Sequence, residues 1–127
     1  MFGLFSMFSR SSALTALDGA LRDAGVHPLL VSEAVKLTIT RMHQRDGEAR
    51  DPDTDHADAA ALLAYCMLGR APFVESNDDA AADRAEDRIE AAIVAGDSVD
   101  AKLVLLALHS GVIAAEVADR FDLGDDS

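Results

Sequence analysis

The chain has 127 residues, of which 50% are hydrophobic, and its 23 acidic and 11 basic side chains give a formal net charge of -12. This length suits one compact domain and excludes a second full-sized core. The negative charge argues against nucleic acid and anionic membranes as partners, because carboxylates and phosphates repel each other.

The sequence predicts helices throughout, because no segment alternates apolar and polar residues over the length of a strand, and alanine and leucine dominate. The predicted helices, in chain order, run from about Ser12 to Ala24, Pro28 to Arg45, Asp53 to Leu68, Asn77 to Ala95, Ser98 to His109 and Val112 to Phe121. Pro28 suits the first turn of the second helix, and the stretch from Arg70 to Asn77 is predicted to be a loop.

The third and fifth predicted helices form the centre of the predicted core. Ala59 to Leu68 is an unbroken apolar run, and the fifth helix is apolar on nearly every face. A helix that is apolar all round is buried. The sequence therefore predicts an all-α fold, a compact single-domain bundle of about five to six short helices in residues 12–123. Residues 1–11 form an apolar segment ahead of this domain, and residues 124–127 form an acidic tail.

The chain is expected to be cytoplasmic. Cys66 is the only cysteine, so no internal disulfide is possible. The apolar start has no lysine or arginine ahead of it and is too short for a signal sequence. The longest apolar run has about half of the roughly 20 residues that cross a bilayer, so no membrane span is expected.

The amount of apolar surface predicts a homodimer. Two helices that are apolar nearly all round are many for a protein of this size, so part of this surface is expected to close against a second copy. The N-terminal segment adds further large apolar side chains, which are Phe2, Leu4, Phe5, Met7 and Phe8. We expect these side chains to cover an end of the bundle or to contact the second copy.

The acidity is concentrated in the second part of the chain. Residues 1–50 carry six basic and five acidic side chains, whereas residues 51–127 carry five basic and 18 acidic ones. At about 100° per residue, several carboxylates of the fourth predicted helix fall on one face. They are Asp79, Asp83, Glu86, Asp87 and Glu90. Such a face either keeps an alanine-rich protein soluble or binds a basic protein partner.

A second acidic segment, residues 43–58, connects the second and third predicted helices and is a candidate metal site. Its imidazole and carboxylate groups are of the kinds that bind transition metals and hard cations. The candidate ligands are His43, Asp51, Asp53, Asp55 and His56. An EF-hand is excluded, because His56 and Leu62 stand where that loop needs glycine and glutamate. Helix capping and solvation are the alternative explanation, and no cofactor is assigned.

One further pattern is similar to a helix-turn-helix. Ala107, Gly111 and Val117 match its small, glycine and apolar positions. Glu116 and Asp119 on the would-be recognition helix would face phosphate groups, so the charge disfavours a DNA binder.

The chain contains no familiar enzyme motif: neither a phosphate-binding glycine loop, nor a nucleophile elbow, nor a zinc-protease helix occurs. The sequence therefore favours a small acidic, non-enzymatic interaction or regulatory module that binds a basic protein. The alternatives are a metal- or small-ligand-binding helical protein that uses residues 43–58 and, against the charge, a helix-turn-helix protein.

Overall fold

Helices make up all the regular secondary structure within the described residues. The computed structural model describes residues 14–46 and 52–123, with side chains described for residues 14–41 and 56–123. Helix α1 covers residues 14–24, and the elements that follow are a short 3-10 helix (Pro28–Leu30), α2 (Glu33–Asp46), α3 (Pro52–Leu68), α4 (Arg70–Ser76), α5 (Asp79–Ala95), α6 (Val99–His109) and α7 (Ala115–Arg120). The predicted all-α fold is confirmed. None of the described helices is long and apolar enough to cross a membrane.

Helix α3 lies at the centre of the bundle, in contact with α2, α4, α5 and α6. Its residues 59–66 are all buried or half-buried, as the apolar run predicted. Helix α6 buries Leu103, Val104 and Ala107. Leu105 of the same helix is 47% exposed, so one flank of α6 faces solvent instead of lying inside the core.

The prediction that Pro28 begins the second long helix is wrong. Pro28–Leu30 forms the 3-10 helix, which is capped by the side chain of His27. Helix α2 begins just after Ser32, whose Oγ accepts a hydrogen bond from the backbone N–H of Val35 at 3.2 Å. The serine cap, and not the proline, determines where α2 starts.

The prediction of a loop from Arg70 to Asn77 is also wrong, because Arg70–Ser76 forms α4. Gly69, with φ of +85°, lets the chain turn directly from α3 into α4. Pro72 is tolerated because it lies in the first turn, where its missing N–H has no partner within the helix. Phe73 is fully buried, and this packing stabilises a helix of only seven residues.

Asn77 ties α4 to α1. Its Nδ2 donates hydrogen bonds to the carbonyls of Ala24 at 2.9 Å and of Phe73 at 3.0 Å. Helix α5 is capped by the next residue, since a carboxylate oxygen of Asp78 accepts from the N–H of Ala81 at 2.7 Å. The helix predicted to start at Asn77 therefore starts at Asp79 with Asp78 as its cap, because the amide of Asn77 is used to end α4.

Helix α7 is anchored at the C-terminal end of α3. The backbone N–H of Ala114 donates to the carbonyl of Cys66 at 2.7 Å, and Val117 is fully buried. Ala114 has an extended conformation, so α7 begins at Ala115 and is shorter than the sequence predicted.

Gly25 ends α1 in a conformation that requires glycine. Its φ is +104°, and a Cβ at this position would lie 2.7 Å from the Cβ of Ser76. We expect Gly25→Ala to lower the free energy of unfolding by about 1–3 kcal/mol, because left-handed backbone strain and the steric overlap add together. Urea unfolding followed by circular dichroism measures the change.

Gly96→Ala is the matched control for this prediction. Gly96 also has a positive φ, +80°, but apart from its chain neighbours no described atom lies within 4 Å of the position of its added Cβ. Its replacement is expected to cost backbone strain alone, about 1 kcal/mol. Equal losses for Gly25→Ala and Gly96→Ala would show that the Ser76 contact contributes nothing.

Candidate functional site

Most carboxylates of α5 lie away from its buried side. The helix packs Ala82, Ala85, Ile89 and Ala92 against the core. At about 100° per residue, this arrangement turns the other side of α5 to solvent. We call the carboxylates on that side the acidic face, which comprises Asp79, Asp83, Glu86, Asp87 and Glu90. Four of them are exposed, whereas the side chain of Glu86 is only 14% exposed.

Arg70 forms ion pairs with three carboxylates in the N-terminal part of the acidic face. Its Nη1 lies 3.0 Å from Asp83 Oδ1 and 3.0 Å from Glu86 Oε2, and its Nη2 lies 3.4 Å from Asp79 Oδ1. These carboxylates raise the pKa of the guanidinium group above its ordinary value through hydrogen bonds from Arg70 to Glu86 and Asp83. Arg70 was placed in a loop by the sequence prediction, so its position beside α5 was missed.

Glu86 differs from the other acidic-face residues because it connects three elements of the fold. The hydroxyl of Tyr65 on α3 donates to Glu86 Oε2 at 2.7 Å, and Arg120 Nη2 on α7 lies 3.5 Å from Glu86 Oε1. Burial opposes ionisation of this carboxyl, but hydrogen bonds from Tyr65 and Arg70 and the charges of both arginines hold its pKa below the ordinary value. Glu86 is therefore an ionised carboxylate inside the fold.

The sequence contains one signal that Glu86 lies closer to the core than the other carboxylates of the acidic face. Glu86 follows Ala82 by four residues and precedes Ile89 by three, so it adjoins the buried side of α5. Asp83 and Asp87 have no such apolar neighbours at both spacings. The partners of Glu86 come from distant parts of the chain, and no local pattern indicates them.

Tyr65 fixes the position of Glu86 from the core side. Its ring packs edge-to-face on Phe73, with ring centroids 5.7 Å apart and an interplanar angle of 76°. Burial and the hydrogen bond to Glu86 raise the pKa of the Tyr65 hydroxyl, so this group stays a neutral donor. The hydrogen bond from Tyr65 to Glu86 thus connects the core of the protein to the acidic face.

The C-terminal part of the acidic face differs from the N-terminal part in its exposure and ion pairing. Asp87 and Glu90 are exposed, and neither forms an ion pair with a residue in the described part of the chain. The nearby Arg88 is held elsewhere, because its guanidinium group makes two hydrogen bonds to Asp100, of 2.9 and 2.8 Å. Val94 follows Glu90 by four residues, lies on the same face and is 88% exposed.

The candidate metal site lies largely outside the described residues. The side chains of His43, Asp53 and Asp55 and the whole of Asp51 are not among those described. His56 is described, and it lies on α3 with only 9% of its surface exposed. Among residues with described side chains, no group of three or more His, Cys, Asp or Glu residues could hold a metal ion.

The pattern similar to a helix-turn-helix falls on α6 and α7. Ala107 and Val117 are buried, and Gly111 has a φ of +79° in the turn between the helices. Helix α7 has six residues and exposes Glu116 and Asp119. A short helix with two exposed carboxylates is poorly suited to approach phosphates.

Cys66 is the one cysteine of the chain and is 1% exposed. Burial raises the pKa of its thiol to about 12. The thiolate, which is the nucleophilic form, is therefore not available near neutral pH, and the structure gives this side chain a packing function in the core.

The fold and this site define a small all-α protein with an acidic helix face whose carboxylates pair with arginines at one end and, at the other end, form no ion pair with the described residues. The chain matches no protein-family model, no curated protein and no solved structure. The function is therefore argued from the geometry of the acidic face.

Proposed function

We propose that the protein is a non-enzymatic interaction module that binds a basic protein segment through the C-terminal part of the acidic face. One observation carries the proposal: Asp87 and Glu90 are exposed, have no ion-pair partner among the described side chains, and adjoin the exposed Val94. Like charges on neighbouring turns destabilise a helix, and a cationic partner would relieve this repulsion.

The expected partner combines positive charge with an apolar side chain. Lysine or arginine residues would pair with Asp87 and Glu90, while an apolar residue would cover Val94, which is unusually exposed for a valine. An amphipathic helix with basic and apolar residues at helical spacing presents both groups together. Homodimerisation, predicted from the sequence, stays a prediction, and light scattering at micromolar concentration tests it.

The double variant Asp87→Asn, Glu90→Gln is expected to weaken the binding of such a segment about tenfold, the equivalent of about 1.4 kcal/mol for two exposed ion pairs. The probe is a fluorescein-labelled synthetic helix of lysine and leucine at helical spacing, and fluorescence anisotropy measures its binding to the full chain. Binding to the unaltered protein should fall strongly at about 1 M salt, where the Debye length is about 3 Å.

Two controls separate a specific face from general acidity. The double variant Glu33→Gln, Asp122→Asn removes the same charge from exposed positions outside α5 and should bind the peptide within about twofold of the unaltered protein. A peptide with glutamate in place of lysine should not bind. The proposal fails if both double variants lose the same affinity, because the peptide would then respond to net charge and not to the acidic face.

A further inference from the structure

A cavity of about 420 Å³ lies between α1 and α3, with Asn77 at its edge. Its volume falls within the range of about 300–1,000 Å³ that small-molecule sites occupy. The wall is built from small apolar residues: Ala16, Gly19 and Ala20 of α1, and Ala57 and Ala61 of α3. Such a wall leaves room for an apolar body to lie close to both helix backbones.

Gly19 is the least expected residue of this wall. Glycine inside a helix is less favourable than alanine, and Gly19 does not have the positive φ that would require it. Apart from its chain neighbours and the adjacent backbone of α1, no described atom lies within 4 Å of the position that a Cβ on Gly19 would take. Packing against the rest of the described chain therefore does not explain the glycine, whereas close approach of a ligand to the α1 backbone would.

The polar groups of the cavity favour a cationic ligand. Asp23 contributes an exposed carboxylate that forms no ion pair within the described part of the chain. The side-chain nitrogen of Asn77 is used by the carbonyls of Ala24 and Phe73, which leaves its oxygen Oδ1 as an acceptor. The lining also includes Thr15 and His56. With the histidine neutral, the formal charge of the cavity is negative, and a ligand that donates hydrogen bonds complements it.

We propose that this cavity binds a small primary amine with a compact apolar body. The ammonium group lies against Asp23, and the hydrocarbon lies on the alanine surface around Gly19. This site is separate from the acidic face, so its failure leaves the proposed function untouched.

The test is a titration of the isotope-labelled full chain with phenethylamine, followed by amide chemical shifts. The amides of Thr15, Gly19 and Asp23 should shift and saturate. 2-Phenylethanol, which has the same ring and no charge, should bind about tenfold more weakly, the equivalent of about 1.4 kcal/mol. 3-Phenylpropanoate, which carries a negative charge, should give no saturable shift.

Two variants locate the binding. Asp23→Asn should reduce the affinity for phenethylamine to that for 2-phenylethanol, whereas Asp97→Asn, which removes an exposed carboxylate elsewhere, should leave it unchanged. Gly19→Leu should fill the cavity and abolish the shifts, with circular dichroism confirming that the variant is folded. Equal binding of amine and alcohol, or amine binding that survives Asp23→Asn, overturns the proposal.

Discussion

Replacement of Phe73 with alanine is expected to lower the free energy of unfolding by about 3–5 kcal/mol. Phe73 is fully buried, and its ring packs edge-to-face on Tyr65. Alanine would leave a cavity between α4 and α3 and would remove the side chain that stabilises the seven-residue α4. Since small domains have a total stability of about 5–15 kcal/mol, this one change removes a large part of it. Urea unfolding at neutral pH measures the loss.

The loss at Phe73 should follow the volume removed. Phe73→Leu keeps an apolar side chain in the same space and is expected to cost clearly less than Phe73→Ala. Val94→Ala is the surface control, since Val94 is 88% exposed, and it should change stability by no more than about 0.5 kcal/mol. A loss for Phe73→Ala as small as that for Val94→Ala would mean that α4 is not packed into the core as described.

Replacement of Glu86 with alanine should cost about 1–3 kcal/mol at neutral pH, because the hydroxyl of the buried Tyr65 loses its acceptor. The same change removes the carboxylate that Arg70 and Arg120 both approach. Glu90→Ala is the control on the next turn of α5, and it is expected to stay within about 0.5 kcal/mol of the unaltered protein. A double-mutant cycle with Tyr65→Phe isolates the hydrogen bond, since Tyr65→Phe should cost little once Glu86 is gone.

The effect of Glu86 should also depend on pH. Folding lowers the pKa of Glu86, so the ionised carboxylate stabilises the folded state. This contribution is fully present above the ordinary glutamate pKa of 4.5 and is lost as the pH falls through the lower value of the folded state. The difference in stability between the unaltered protein and Glu86→Ala should therefore narrow on acidification. A difference that is constant down to acidic pH would contradict the ionised state of Glu86.

The parts of the fold that local sequence determines could be predicted. The apolar run of α3 is buried, and Ser98 caps α6, with its Oγ accepting the N–H of Ala101 at 3.1 Å. Helix α4 could not be predicted in this way, since Gly69 and Pro72 have the local chemistry of a loop. The helix depends on burial of Phe73 against Tyr65, which is a contact that only the folded chain creates.

In the candidate site, too, the sequence predicted the features that depend on local pattern and missed those that depend on contacts between distant residues. The amphipathic pattern of α5 predicted that its five carboxylates share one face. It gave no reason to expect that they differ in burial or in ion pairing. Arg70 and Arg120 lie 16 and 34 positions from Glu86 in the sequence, and the fold brings both to it. Their approach makes Glu86 an internal group, whereas Asp87 and Glu90 form no ion pair within the described part of the chain. The surface that we propose for a partner is therefore smaller, and lies nearer the C-terminal end of α5, than the surface that the sequence alone suggested.

The hydrogen bond from Ala114 to Cys66 has a consequence for how the protein is made. A ribosome adds Ala114 long after the buried helix α3 has been completed, and until then the carbonyl of Cys66 lacks this donor. A nascent chain that has emerged only as far as α6 therefore has an unfinished end on its central helix, because a buried carbonyl without a partner is unfavourable. Docking of the segment around Ala114 supplies the missing donor, so the end of the central helix is completed only once the chain has been made as far as this segment.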